Sequence, residues 1–399
     1  LAGGGSFTAA QLSNVTNIER VHLLDGGSAT IGEGVFDGNG IVQGSSADDT
    51  FDATGITTGG ITSRTGTGTD RILGSEADDT FVFDSAGALD ATDVVDGNGG
   101  SDTLALTGVN AAANAMLGVS DIETVEVSGG TTVTLLDSIA DESITVNAIS
   151  GNNTVDGSGL TTLRVLATTG TGGDSISGGA ANDVFTLSND SFVGIDGNAG
   201  TDFVAVDGTS AVLDMATWDG RMSDIDVIDL RGGTANELLV SEAAVTAIAE
   251  GGRVYVIGTA VDEVTFDGGW TITALNQVHV DLPGFTFTEY SKGAVKVLVD
   301  GTIPPGGISG VAAPTAPVID LNGADPFLNY AASYTTGSGP VSIGANDLTI
   351  TDTDTLQQIG TMSVTMTGGG TNDSIALSNA GVILAATNGL SVSSNATSI

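Results

Sequence analysis

Apolar and polar residues alternate along most of the chain in short runs. Residues 123–127 (ETVEV), 144–148 (ITVNA), 162–166 (TLRVL) and 203–207 (FVAVD) put every second side chain on one face. A period of two is the signature of half-buried β-strands. Two stretches depart from it and predict short helices: residues 111–123 (AAANAMLGVSDIE), one of the patches that precede a recurring isoleucine, and residues 241–250 (SEAAVTAIAE), which is amphipathic. The residues between the strands are Gly, Asp, Asn, Ser and Thr, the vocabulary of turns.

The pattern repeats at long range. VTNIERVHLLDGGSATI (15–31), VSDIETVEVSGGTTVTL (119–135) and MSDIDVIDLRGGTANEL (222–238) align on Ile18, Ile122 and Ile225, with offsets of 122 − 18 = 104 and 225 − 122 = 103. DGNGGSDTLALTG (96–108) matches DGNAGTDFVAVDG (196–208) at 196 − 96 = 100, and GSEADDTFVF (74–83) matches GGAANDVFTL (178–187) at 178 − 74 = 104. Three independent markers at nearly one offset define a unit of about a hundred residues. Strands stacked in such units predict an all-β, solenoid-like array in which each unit buries its core against its neighbours. Of the 7 prolines, all but Pro283 lie beyond residue 300, so residues 304–317 read as a linker. The expected organisation is three repeat units (1–113, 114–217 and a divergent 218–303), the linker, and a separate β module at 318–399.

Composition sharpens this picture. Formal net charge is −40, from 49 acidic and 9 basic residues. That excludes nucleic acid as a natural partner, because phosphates need Lys and Arg to neutralise them. Disorder is not implied, since 40% of residues are hydrophobic and only 15% charged. Asp outnumbers Glu 38 to 11, and there are 60 Gly; Asp and Gly favour turns and metal-binding loops where Glu would favour helix. With no Cys, disulfides and thiolate chemistry are excluded. Calcium is then the natural staple for an Asp-rich chain. No apolar run is long enough for a membrane span. No signal peptide is visible and the first residue is Leu, which predicts a processed chain or a segment of a longer one.

The Asp-rich turns have a spacing with a physical meaning. In the nonapeptide G-G-x-G-x-D-x-U-x (U apolar), the Gly-rich turn brings carbonyls towards Ca²⁺, the Asp adds a charged oxygen, and U starts a strand that fills a parallel β-roll. TGTGTDRIL (65–73) runs directly into GSEADDTFV (74–82), placing Asp70 and Asp79 nine residues apart. TGTGGDSIS (169–177) runs into GGAANDVFT (178–186), giving Asp174 and Asp183. GSSADDTFD, GNGGSDTLA and GNAGTDFVA supply Asp49, Asp102 and Asp202, and GGGTNDSIA supplies Asp373 in the terminal module. The candidate metal ligands are therefore Asp49, Asp70, Asp79, Asp102, Asp174, Asp183 and Asp202, with Asp25, Asp37, Asp96 and Asp196 as supplementary ligands or turn caps. The plain alternative for each is an Asp that only closes a turn.

On these nonapeptides the chain resembles the RTX family of secreted bacterial calcium-binding proteins, with Asn98 and Asn198 standing at the second Gly position and Ser or Ala at several others. Its wider layout is similar to large RTX-type adhesins and S-layer proteins. Residues 258–271 (GTAVDEVTFDGGWT), 287–303 (FTEYSKGAVKVLVDGTI) and 317–354 carry that likeness. The resemblance implies secretion, calcium-dependent folding, a place at the cell surface, and a cadherin- or immunoglobulin-like sandwich for the C-terminal module.

No other chemistry stands out. Asp224, Asp226 and Asp229 alternate with apolar residues and read as a charged strand face. His22 and His279 stand apart, and Trp218 and Trp270 read as packing residues with a sugar-binding face as the alternative. There is no G-x-S-x-G, H-E-x-x-H or P-loop sequence. The sequence predicts a secreted, extracellular calcium-binding structural protein that forms homo-oligomers or polymers, as an S-layer, filament or adhesin segment, and not an enzyme. A module that binds a cell-surface glycan is the second reading, and a polysaccharide-acting enzyme the third.

Overall fold

The computed structural model describes residues 4–207, 212–233 and 235–312, together with the strand pair Val318–Asp320 and Thr349–Thr351. The chain divides after Ala313 into two compact units. The first is a parallel β-solenoid of about 12 turns. Apart from the strand pair, the expected C-terminal module and Asp373 lie outside the described residues.

Each turn of the solenoid contributes a strand to each of two walls. One wall is continuous from Ile18–His22 to Val295–Asp300, every strand parallel to the next. The facing wall is built from three successive sheets, which begin at Ser6–Phe7, Asn110–Ala111 and Val212–Asp214. Those starting points are 110 − 6 = 104 and 212 − 110 = 102 residues apart. The hundred-residue sequence repeat therefore marks the places where the facing wall changes sheet. Just after each start lies a short wound segment: the helix Ala9–Leu12, the turns at 113–118, and the 3-10 helix Met215–Trp218. Ile18, Ile122 and Ile225 follow, and each donates its N–H to the carbonyl of a later residue in the same way, at Val35, Ile139 and Ile248.

The strands form for the reason their pattern suggests. Thr80–Phe83 buries Phe81 and Phe83, and Thr103–Thr107 buries Leu104 and Leu106 directly beside them. On the inner side of the continuous wall the register stacks Ser63, Phe81, Leu104, Val125, Val146, Ala167, Phe185 and Val204. The two phenylalanines are each preceded by a small residue, Ser63 before Phe81 and Ala167 before Phe185, and the two pairs are 104 residues apart. Within a close-packed core the small residue before each ring leaves room for its bulk. Enlarging the small member, as in Ala167→Leu, overpacks a position that is 2% exposed. We expect a loss of about 1–3 kcal/mol in urea unfolding, whereas Thr168→Leu, on the outer side of the same strand, leaves the midpoint nearly unchanged.

The predicted helix at 241–250 is present as Glu242–Ile248, capped by the Ser241 hydroxyl, which accepts the Ala244 N–H at 3.2 Å. The one expected at 111–123 is not. That stretch makes only i→i−3 contacts, from Ala115 to Ala112 and from Met116 to Ala113, before re-entering the wall at Val119–Ser120. It must bridge two strands of one turn, and burial of Ala115 and Met116 pins it before a helix can extend. No helix among the described residues is long and apolar enough to cross a membrane.

Candidate functional site: carboxylate ladders at the bends

All seven sequence-predicted ligands are buried, none more than 1% exposed, at the bends where the chain passes from one wall to the other. They are not paired as the nine-residue spacing suggests. Asp70 and Asp79 belong to opposite bends of the solenoid, and so do Asp174 and Asp183. Each instead stacks on a residue one turn away.

Four columns result. In the first, the Gly27 N–H donates to Asp49 Oδ1 (2.9 Å), the Asp49 N–H to Asp70 Oδ1 (2.9 Å) and the Asp70 N–H to Asp93 Oδ1 (2.8 Å). In the second, the N–H groups of Ile61, Asp79 and Asp102 donate to Asp79 Oδ1, Asp102 Oδ1 and Glu123 Oε2 at 2.5, 2.7 and 2.7 Å. The third runs from the Thr131 N–H to Asn153 Oδ1 and from the Asn153 N–H to Asp174 Oδ1, both 3.1 Å. The fourth joins Val165, Asp183, Asp202 and Asp226 at 2.7, 2.7 and 2.9 Å. A shorter copy has the Asn236 N–H donating to Asp262 Oδ1 at 2.8 Å. The columns thus include Asp93, Glu123, Asn153, Asp226, Asn236 and Asp262, which motif reading passed over. Their signal is an Asp, Asn or Glu immediately before a strand, with a buried apolar residue two places on, as in Asn153-Thr154-Val155 and Asp226-Val227-Ile228.

Two kinds of bend alternate within the columns. At Asp49, Asp79 and Asp183 the second carboxylate oxygen turns back on its own bend and accepts the N–H of Ser45 (2.6 Å), Ser75 (2.6 Å) or Gly179 (2.7 Å). Both oxygens are then satisfied, and the Asp closes a turn as the plain reading requires. The bends before Asp70, Asp102, Asp174 and Asp202 instead pass through left-handed residues: Gly66 and Gly68, Asn98 and Gly100, Gly172, and Asn198 and Gly200. Backbone twisted in this way points its N–H groups elsewhere. Oδ2 of Asp70, Asp174 and Asp202 is buried and makes no hydrogen bond, and only at Asp70 is a hydroxyl, that of Thr65, near enough to lower the pKa.

Burial without a compensating charge shows in the acidities. It is the main cause that pushes Asp70 up to about 6, and Asp102 and Asp202 up to about 7. Neighbouring carboxylates add to this, Asp79 and Glu123 beside Asp102, and Asp183, Asp226 and Asp224 beside Asp202. Two glycines mark how closely oxygens crowd there. A Cβ on Gly97 would collide with the Asp121 carbonyl and Asp102 Oδ2, and one on Gly197 with the Asp224 carbonyl and Asp202 Oδ2. Gly197→Ala should therefore destabilise the bend by about 2–3 kcal/mol, read as lost hydrogen-exchange protection at the amides of Asp183 and Asp202; Gly159→Ala, at an open position without a positive φ, serves as the comparison. The left-handed Asn98 and Asn198 clamp the same bends, each donating its amide at 3.0 Å to a carbonyl of the preceding turn, Ser75 and Gly178.

The remaining candidates disperse. Asp226 heads the fourth column, Asp229 pairs with Arg231 at 2.7 Å, and Asp224 is a left-handed residue beside Asp196. Trp218 and Trp270 are core residues. No group of three or more His, Cys, Asp or Glu side chains converges among the described residues. Fold and bends together define a parallel β-solenoid with buried carboxylate ladders. No family model, no curated protein and no solved structure matches the chain.

Proposed function

We propose that this is a secreted, calcium-stabilised structural protein of the bacterial cell surface, an RTX-type S-layer, filament or adhesin segment that self-assembles. The observation that supports it most is the orphaned, buried Oδ2 of Asp70, Asp174 and Asp202. A buried anionic oxygen without a donor is costly, and a cation is the partner that would offset that cost. The oxygens near these bends are carboxylate, hydroxyl and backbone carbonyl, with no thiolate, a hard donor set that suits Ca²⁺. Asp70, Asp174 and Asp202 would hold the ions through these oxygens, together with carbonyls of the adjoining bends, with Asp49, Asp79, Asp102 and Asp183 as the further carboxylates of the columns. Calcium supplies charge neutralisation there and no reaction. A chain carrying −40 in a low-calcium compartment would be loosened by self-repulsion and would harden outside the cell, because ligand binding adds to folding free energy. The test is electron microscopy of the purified chain with millimolar calcium and again with chelator. Sheets or filaments that form only with calcium support the reading, and dispersed particles in both conditions overturn it.

One surface feature favours a glycan-binding adhesin as the second reading. A groove of about 630 Å³ lies over the middle facing sheet, lined by Asp156, Ser177, Asp196, Asp219, Arg221 and Ser223. Its hydroxyls and carboxylates suit a polyol, and a glycan array would show a ligand.

A further inference from the structure

The groove over the middle facing sheet carries one sign of charge. In the strand register Asp156, Ser177, Asp196 and Ser223 stand on successive rungs, so carboxylate and hydroxyl alternate along it. Rungs lie about 4.8 Å apart, which sets the two carboxylates about 10 Å from each other. Asp156 uses only Oδ1 within the chain, accepting the Ser158 N–H (3.0 Å) and hydroxyl (2.6 Å) and the Ser177 hydroxyl (3.3 Å). Asp196 likewise accepts the Asn198 N–H through Oδ1 at 3.2 Å, and its neighbour Asp224 is a further carboxylate. Asp219, on the rim, is exposed. Arg221 also lines the groove, but its charge is committed elsewhere. Its guanidinium donates to the carbonyls of Phe192 (3.0 Å), Thr217 (3.2 Å) and Asp190 (2.8 Å) and to Asp190 Oδ1 (3.2 Å), and it lies 4.1 Å over the Phe192 ring. The lining among the described residues includes no aromatic ring on which a sugar could stack.

We propose, in a step that rests on the glycan-binding reading, that this groove takes a cationic glycan: an extended, linear oligomer of unacetylated amino sugar. The free carboxylate oxygens of Asp156 and Asp196 attract ammonium groups, and the hydroxyls of Ser177 and Ser223 between and beyond them both donate to and accept from sugar hydroxyls. In an extended chain of such rings each sugar is flipped relative to the last. The same face returns after one disaccharide, a length close to two rungs of the sheet, so the amines of alternate sugars meet the two carboxylates. Uronate and sialylated polymers are repelled by those carboxylates and by a chain of net charge −40. With no ring to stack on, affinity comes from charge and hydrogen bonds, and it falls as salt is added.

Calorimetric titration of the full chain tests it, with calcium present and in mildly acidic buffer where the amines are protonated. Three tetramers serve as probes: glucosamine, N-acetylglucosamine and galacturonate. The glucosamine tetramer should bind about tenfold more tightly than the acetylated one, which lacks both ammonium–carboxylate contacts, and galacturonate should not bind. The double substitution Asp156→Asn and Asp196→Asn keeps each Oδ1 acceptor and should abolish the preference for the amine. Glu126→Gln, on the outer side of the opposite wall, should bind as the native chain does. Equal binding of the glucosamine and acetylated tetramers overturns the proposal and leaves a glycan site standing. A loss in Glu126→Gln as large as in the double variant overturns it in favour of adsorption to a negative surface. Spermidine bound as tightly as the glucosamine tetramer overturns the sugar as ligand. No binding by any glycan, in titration or on an array, overturns the glycan reading and the proposal together. If the double variant does not fold, the two tetramers compared on the native chain still decide.

Discussion

Asp183→Ala lowers the stability of the solenoid by about 2–5 kcal/mol, the largest loss expected from any single side-chain deletion at the bends. Asp183 is fully buried, and both of its oxygens are occupied, Oδ1 by the Val165 N–H and Oδ2 by the Gly179 N–H, each at 2.7 Å. Alanine leaves two buried donors without partners, at about 1–3 kcal/mol each. Part of that is returned, because the lost carboxylate was itself disfavoured by burial, which raises its pKa. Asp183→Asn separates the two contacts. Its oxygen can still accept from Val165, but its amide would face the Gly179 N–H, donor against donor, so a loss of about 1–2 kcal/mol is expected. Asp84→Ala, at an exposed ion pair with Arg64, changes little. Urea unfolding together with exchange at the Val165 and Gly179 amides measures all three. Native midpoint and native protection in the alanine variant would mean that the ladder is decoration.

The strands and their stacking were legible in the sequence because burial imposes a period of two, and Phe81, Leu104 and Phe185 declare it openly. The bend residues were legible in part, since Gly and Asp at nonapeptide spacing single out seven buried carboxylates but not Asp93 or Asp262, which are buried in the same columns. Their partners were not. The bond that joins them runs from one backbone N–H to a carboxylate a full turn away, and that turn varies from 18 residues between Ile61 and Asp79 to 26 between Asn236 and Asp262. A fixed nine-residue template cannot follow so variable a period. It therefore pairs Asp70 with Asp79, which the fold sends to opposite bends, and misses Asn153, whose role depends on an amide and not on a charge.

The hundred-residue repeat was equally visible, but its cause was not. Nothing in the alignment of Ile18, Ile122 and Ile225 says that one wall changes sheet just before each of them. The inserted segments that accomplish the change differ: a four-residue helix, a run of turns and a 3-10 helix. What they share is a place: each follows the first strand of a facing sheet, and the second and third lead back to the last strand of the preceding sheet, Val119–Ser120 and Met222–Ser223, so that only the isoleucine that re-enters the core afterwards is constrained enough to repeat. Helix prediction failed at 111–123 for the same reason, because a connector that short is shaped by its two ends more than by its alanines.

Calcium-free protein should become more stable as the pH falls from about 7 to about 5, the reverse of ordinary acid denaturation. Asp70 titrates at about 6 and Asp102 and Asp202 at about 7 in the folded chain, against about 3.9 when unfolded. Between pH 4 and 7 the folded state therefore binds more protons than the unfolded state, and stability falls as the pH rises, by about 1.4 kcal/mol per pH unit for each such carboxylate. The contribution is complete below the unfolded value and lost above the folded one. Groups displaced the other way act in a lower window: Glu33, held at about 2 by the Thr58 hydroxyl and then by the Thr57 N–H and hydroxyl, favours folding above pH 4 and withdraws that support only under stronger acid. Calcium competes with the proton for the same oxygens, so the stabilisation gained on adding Ca²⁺ should be small at pH 5 and grow towards pH 7.5. General repulsion within a chain of −40 would also ease on acidification, but salt screens it, and roughly 0.5 M NaCl shortens the Debye length to well under 10 Å. The buried carboxylates are sheltered from that screening. Melting temperatures at pH 5, 6 and 7 in high salt, with chelator and with calcium, separate the two effects, and Asp202→Asn should flatten the chelator curve by about one proton. A calcium-free chain that loses stability steadily from pH 7 to pH 5 would mean that the ladder oxygens already have partners, and the case for an ion between the bends would fall with it.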